Sequence, residues 1–172
     1  MTLGLSVALI SPQIAPNTGN IARLAGATDT VLHLIEPLGF SIDDAELKRA
    51  GLDYWDSVDL WVHPFWRAFR SAVARERCLY FSSHGTLSYL NAPYEPNSVL
   101  VFGSETQGLP DRIIEKHTER IFRIPMRPDV RSLNLATAVG IVLYEAIRQT
   151  GFLLDDDLGQ LTAETAVREE GA

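Results

Sequence analysis

The stretch Ile124-Pro125-Met126-Arg127-Pro128-Asp129-Val130-Arg131-Ser132-Leu133-Asn134-Leu135-Ala136 decides how the rest of the chain is read. A short strand leads into it. Pro125 and Pro128 stiffen it by fixing φ and removing backbone donors, and a helix leaves it under Ser132 or Asn134, both good N-caps. The first N–H groups of that helix carry partial positive charge, and Arg127 and Arg131 share the loop. Such a loop suits an anionic or acceptor-rich ligand. A capped αβ connection with solvated arginines accounts for the spacing equally well.

The helix expected over Leu133 to Gln149 is apolar on nearly every side, with only Thr137, Tyr144, Glu145 and its last turn polar. A helix of that kind is buried all round, and this run is too short to cross a bilayer. In a chain of 172 residues, burial on every face calls for a second subunit, with Tyr144 at the interface. Gly151 is placed to stop the helix.

Working outward, short apolar runs alternate with helical ones. Strands are expected at Leu3–Ile10, Val31–Ile35, Val58–Val62, Leu79–Ser82, Val99–Phe102 and Arg120–Ile124. Helices are expected from the Pro16-Asn17-Thr18-Gly19-Asn20 turn toward Thr28, over Asp43–Ala50, over Phe65–Arg77 behind Pro64, and over Pro110–His117. This alternation means an α/β domain with a mostly parallel, six-stranded sheet flanked by helices. Ligands in such folds gather at the carboxyl ends of the strands. Three loops there stand out: Asn17–Arg23, Gly103–Leu109 and Arg127–Asn134.

Size supports one domain over residues 1–154, followed by an acidic tail, 155–172, expected to be mobile. That tail holds six acids and one arginine, so it carries −5 of the net charge of −7 and leaves −2 on the body. A near-neutral body can present a local basic patch, but it argues against strong nonspecific nucleic-acid binding. Cys78 is the single cysteine; it reads as a buried thiol, and no intrachain disulfide is possible. The four histidines show no metal-ligand spacing. A phosphate-loop Gly-Lys-Ser/Thr, a dinucleotide fingerprint and a nucleophile elbow are also missing, which disfavours a nucleotide-hydrolysing enzyme. With no signal-peptide pattern at the N-terminus, a cytoplasmic protein without a membrane partner is the default expectation.

Taken together, Asn17-Thr-Gly-Asn-Ile-Ala-Arg23-Leu24, Phe102-Gly-Ser-Glu105-Thr-Gln-Gly-Leu-Pro110 and Ile124-Pro-Met…Arg131-Ser-Leu-Asn134-Leu…Ala138-Val139 resemble the three motifs of the SPOUT methyltransferases. Ile35-Glu-Pro-Leu-Gly-Phe40 and Lys48-Arg-Ala-Gly-Leu-Asp-Tyr54 narrow the likeness to wobble-position tRNA 2′-O-methyltransferases of the TrmL (YibK) type. The resemblance covers roughly residues 3 to 152. It implies a deep C-terminal trefoil knot, a homodimer, S-adenosylmethionine as methyl donor, no metal, and the anticodon stem-loop of tRNA as partner. The reaction implied is methylation of the ribose 2′-OH of nucleotide 34, C or U, in leucine isoacceptors. Another tRNA position, ribosomal RNA, or a non-catalytic cofactor-binding RNA module are the alternatives.

Carried onto this chain, the likeness assigns Phe81, Gly103, Ile124, Ser132 and Leu133 to the cofactor. Arg23, Asn17, Glu105, Ser132 and Asn134 fall to catalysis or substrate positioning. Arg23, as a guanidinium, essentially never loses its proton, so its expected role is to bind phosphate and stabilise the developing alkoxide. Glu105 is expected to accept hydrogen bonds from substrate or to pair with an arginine. The amides of Asn17 and Asn134 either orient substrate or hold loops. Lys48, Arg49, Arg67 and Arg70 are candidate RNA-facing charges, with solvated surface roles as the plainer reading.

Overall fold

The computed structural model describes residues 4–43 and 57–151. Within them the strands are β1 Ser6–Ile10, β2 Val31–Ile35, β3 Leu60–His63, β4 Cys78–Phe81, β5 Leu87–Ser88, β6 Val99–Phe102 and β7 Ile121–Arg123. The helices are α1 Ala15–Ala27, α2 Trp66–Ala72, α3 Asp111–Lys116 and α4 Leu135–Thr150. Of the helix expected over Asp43–Ala50, Asp43 lies in a turn; its remainder, with Lys48 and Arg49, and the 155–172 tail lie outside the described residues.

The strands form one sheet in the order β3-β2-β1-β6-β4-β7-β5, and every pairing is parallel. The sheet therefore has seven strands among the described residues rather than the six expected. The additional one, β5, is a two-residue edge strand on β7, too short to show any alternation in the sequence. Helix α2 also ends earlier than expected, at Ala72. Val73 is extended there and turns inward to a buried position, and Arg75–Arg77 continues only as a single 3₁₀ turn.

Side chains alternate between the two faces of the sheet, as strand geometry requires. Val7 and Leu9 of β1 join a core with Ile21, Ala22 and Ala25 of α1 and Val139, Val142, Leu143 and Ala146 of α4. Ala8 and Ile10 face the other way, into a core with Phe69, Val73, Leu109 and Ile113 beneath α2 and α3. Burial on both faces explains why the central strands read as unbroken apolar runs.

Helix α4 starts at Leu135, not Leu133, because Asn134 is its cap, and Gly151 ends it in the left-handed conformation at φ 63°. It is not covered all round. Ile141 and Tyr144 are 36% and 53% exposed, and with Thr137 and Arg148 they form one outward line at helical spacing.

On the α2 side, His33 Nδ1 and His63 Nε2 lie 3.0 Å apart, and both rings meet Phe69 edge-on. Two imidazoles can share a hydrogen bond as a neutral donor and a neutral acceptor, and burial disfavours a charge on either ring. Burial, then the neighbouring His63, hold His33 down at about 4, and burial lowers His63 as well. An unfolded histidine takes up its proton near pH 6.5, so native stability falls as pH drops from about 6.5 toward about 4. In ¹H–¹⁵N spectra the His33 ring signals should stay unshifted down to about pH 5; ordinary titration near 6.5 would contradict the buried neutral pair.

Candidate active site

Strands β1 and β6 are hydrogen-bonded neighbours, yet the chain leaves β1 toward β2 on one side and β6 toward the β4–β7 side on the other. This reversal opens a crevice beyond their carboxyl ends. The loop after β6 and the segment between β7 and α4 converge there on a cavity of about 530 Å³, within the usual range for a small-molecule site. Its wall includes Ile14, Asn17, Phe81, Gly103, Glu105, Gln107, Ile124, Met126, Arg131, Ser132, Leu133 and Asn134.

Asn17–Arg23, expected as a loop, lies inside α1, because the helix already starts at Ala15 behind the cap position Ile14. One hydrogen-bonded chain ties the β1–α1 loop and the first turn of α1 to the other two loops. The Glu105 carboxylate accepts from the backbone N–H of Gln13 at 2.7 Å and of Ile14 at 3.1 Å, and from Asn17 Nδ2 at 3.2 Å. Asn17 Oδ1 accepts from Asn134 Nδ2 at 2.9 Å. Asn134 Oδ1 in turn accepts from the N–H groups of Ala136 and Thr137, at 2.9 and 3.3 Å, capping α4. Helix α1 has no side-chain cap at Ile14 and no acid in its first turn. Glu105 supplies both from 88 to 92 residues away in sequence, where a negative charge is favoured by the helix dipole. Glu105 thus spends its oxygens on the loop framework and the start of α1, and the two asparagines hold the loops together.

The Gly103–Leu109 loop closes on itself. Ser104 and Gly108 exchange backbone hydrogen bonds at 3.2 and 2.9 Å, and Gly108 adopts φ 67°, a conformation suited to glycine. A side chain on Gly103 would collide with the backbone of Gly108 and Leu109. Its glycine is required by the loop's own return, a different reason from close approach to a ligand.

Phe81 is 5% exposed and stacks 5.2 Å from Phe102, forming an aromatic floor, while Ile124 and Leu133 line the wall. Ser132 faces the cavity and leaves the capping to Asn134. The two arginines of the loop part company. Arg127 pairs with Asp129 in solvent, whereas Arg131 lines the cavity and its Nη2 reaches Thr106 O at 3.5 Å. Arg131, Gln107 and Met126 are wall residues that the motif-based assignment had not included. Arg23 does not line the cavity; it lies on the exposed face of α1, less than two turns or about 9 Å along the axis from Asn17. Among the described residues no group of His, Cys, Asp and Glu is placed to hold a metal ion, and no helix is long and apolar enough to cross a membrane.

Fold and cavity define an open, parallel α/β protein that takes a small ligand at a topological switch point beside a helix N-terminus. More particularly, the chain belongs to the SpoU rRNA methylase family, whose model matches residues 4–144. It is 47% identical over 150 residues to a tRNA (cytidine(34)-2′-O)-methyltransferase of Burkholderia ambifaria, spanning 86% of this chain and 96% of the relative. A solved structure concerned with 2-OH methylation of C/U34 on tRNA superposes with a TM-score of 0.81 at 46% identity, covering 84% of this chain and 95% of that one. An AdoMet-bound rRNA methyltransferase from Sinorhizobium meliloti superposes with a TM-score of 0.73 at 28% identity, over 85% of this chain and 56% of its own.

Because Glu105 supplies three hydrogen bonds, replacing it should loosen α1 from the 103–109 loop. Glu105→Ala is expected to lower unfolding free energy by about 1–3 kcal/mol, read from urea denaturation. Wild-type stability in that variant would show that the network does not hold the loops.

Proposed function

We propose that this protein transfers a methyl group from S-adenosylmethionine to the ribose 2′-OH of nucleotide 34, C or U, in tRNA. The observation that carries the reading is the Glu105–Asn17–Asn134 chain, which fixes the three loops around one cavity. The relatives that share the fold over most of the chain give the reaction its name.

The cavity suits the donor chemically. Phe81, Ile124 and Leu133 offer apolar surface to a planar base, while Ser132, Arg131 and the backbone of the two loops offer polar groups around it. When bound, S-adenosylmethionine supplies an electrophilic methyl on a cationic sulfur. The rest of the task is alignment of the attacking oxygen and loss of its proton. Asn17, Glu105 and Asn134 keep the wall in place, Ser132 is offered to the ligand, and the apolar floor excludes water. The role we assign to Arg23, six residues along α1 from Asn17, is to bind a phosphate flanking the target ribose and, through its permanent charge, to stabilise the oxygen as it becomes anionic. Leucine isoacceptors, met in the cytoplasm through their anticodon stem-loops, are the substrates to test first. The family likeness also carries the trefoil knot.

Incubating the protein with S-adenosylmethionine and tRNA, then mapping 2′-O-methyls by mass spectrometry, should place the new methyl on nucleotide 34; a tRNA left unmodified there overturns the reading. Arg23→Lys keeps the charge but loses the planar fork, and is expected to cut turnover at least tenfold. Turnover equal to wild type would count against a role that depends on guanidinium geometry.

The reading includes a homodimer formed through the outer faces of α1 and α4. Ile141 and Tyr144 supply exposed apolar surface there, and Leu24 of α1 lies beside Gly140. Ile141→Glu/Tyr144→Glu should shift the sedimentation coefficient to that of a monomer; a wild type that already sediments as a monomer would rule the dimer out.

A further inference from the structure

On the face of the sheet opposite α1 and α4, helices α2 and α3 flank a second cavity of about 350 Å³. Arg70, Arg75, Arg112 and Lys116 line it together with Trp66, Ile113 and the buried His117, and no carboxylate does. In a chain of net charge −7 with 15 lysines and arginines, this concentration of cations is not what a random surface would show. Asp111 and Glu115 lie on α3 but outside the cleft.

Two of the cations are held in place. Arg70 Nη1 donates to Val73 O at 2.7 Å, and Arg75 Nη2 lies 3.4 Å from His117 Nδ1. Arg112 and Lys116 are exposed and make no hydrogen bond or ion pair with the described residues. Both are therefore open to an outside anion, with the carboxylate of Glu119 also felt at His117. The crowding is felt at His117, where burial, Arg75 and Lys116 disfavour protonation. Trp66, half-buried against Phe69 at 5.1 Å, adds an aromatic surface at one end. Cations around an aromatic ring match nucleic acid, whose phosphates neutralise the charges while a base stacks on the ring. The cleft is also near the first cavity along the chain. Gln107 lines one and Arg112 the other, so their Cα atoms lie within about 18 Å.

We propose that the α2–α3 cleft binds the phosphodiester backbone of the substrate tRNA outside the nucleotides that enter the methyl-transfer cavity, with Trp66 as a stacking surface for one unpaired base. The proposal rests on tRNA being the substrate. It gives the methyltransferase domain a second point of hold on its substrate, on the opposite side of the sheet from the face assigned to the dimer. Arg70, for which the sequence alone favoured a solvated surface role, acquires a place in RNA contact.

The test is tRNA binding by full-length Arg112→Gln/Lys116→Gln, measured by fluorescence anisotropy over a salt series. Two lost phosphate contacts should weaken binding about tenfold or more near 100 mM salt and flatten the slope of log K against log salt by roughly 1.4 to 1.8. The thermal midpoint and S-adenosylmethionine affinity without RNA should match wild type. Unchanged tRNA affinity and slope overturn the proposal, as does a wild type that binds no tRNA. A weakened affinity accompanied by a lowered thermal midpoint also counts against it. Methyl transfer by the wild type is assayed on the same tRNA. A wild type that binds tRNA yet leaves nucleotide 34 unmodified overturns the reading of the reaction, while the cleft is judged on binding alone.

Discussion

The carboxylate of Glu105 at the start of α1 is the contact on which the candidate site depends. A helix that begins with exposed N–H groups and no cap of its own needs a negative or acceptor group from elsewhere. Here the group arrives on the loop after a strand that is distant in sequence and adjacent in the sheet. By satisfying Gln13, Ile14 and Asn17 together, the carboxylate fixes the first loop relative to the second. Asn17 and Asn134 then pass that constraint to the third. The cap of α4 and the cap of α1 are thereby parts of one network, so neither helix can shift without disturbing the cavity between them.

The parallel sheet makes this arrangement possible. With every strand pointing the same way, all the carboxyl ends lie along one edge, and the reversal of direction beside β1 leaves room between the loops. Placing the α1–α4 layer on one face and the α2–α3 layer on the other gives the molecule two surfaces of different chemistry. The first presents exposed Ile141 and Tyr144 beside a small-molecule cavity. The second presents a cationic cleft with an aromatic ring.

What could be read from residues alone was whatever local physics controls. Unbroken apolar strands alternating with helices established a parallel α/β sheet, because a strand buried on both faces cannot alternate. A capped start of α4 under Ser132 or Asn134 and Gly151 as its stop were legible because both act within a few residues of themselves. The loops Gly103–Leu109 and Arg127–Asn134 were legible at the ligand edge for the same reason, whereas Asn17–Arg23, read as a third loop, is the first half of α1. The two-residue β5 carried no such mark, and Asn134 could not be told from Ser132 until the helix start was placed.

The partners chosen across the chain were decided by tertiary structure alone. Glu105 was expected to face substrate or an arginine, yet its oxygens are taken by backbone groups some ninety residues away, a pairing that follows from β1 and β6 lying side by side. Gly103 is glycine because Gly108 returns over it, and the cationic cleft exists because α2 and α3, 45 positions apart where Trp66 and Asp111 begin them, pack on the same face. Sequence determines the elements and their ends, since those energies are local. Which ends meet, and hence what each charged side chain finds opposite it, is a property of strand order, which no short-range pattern encodes.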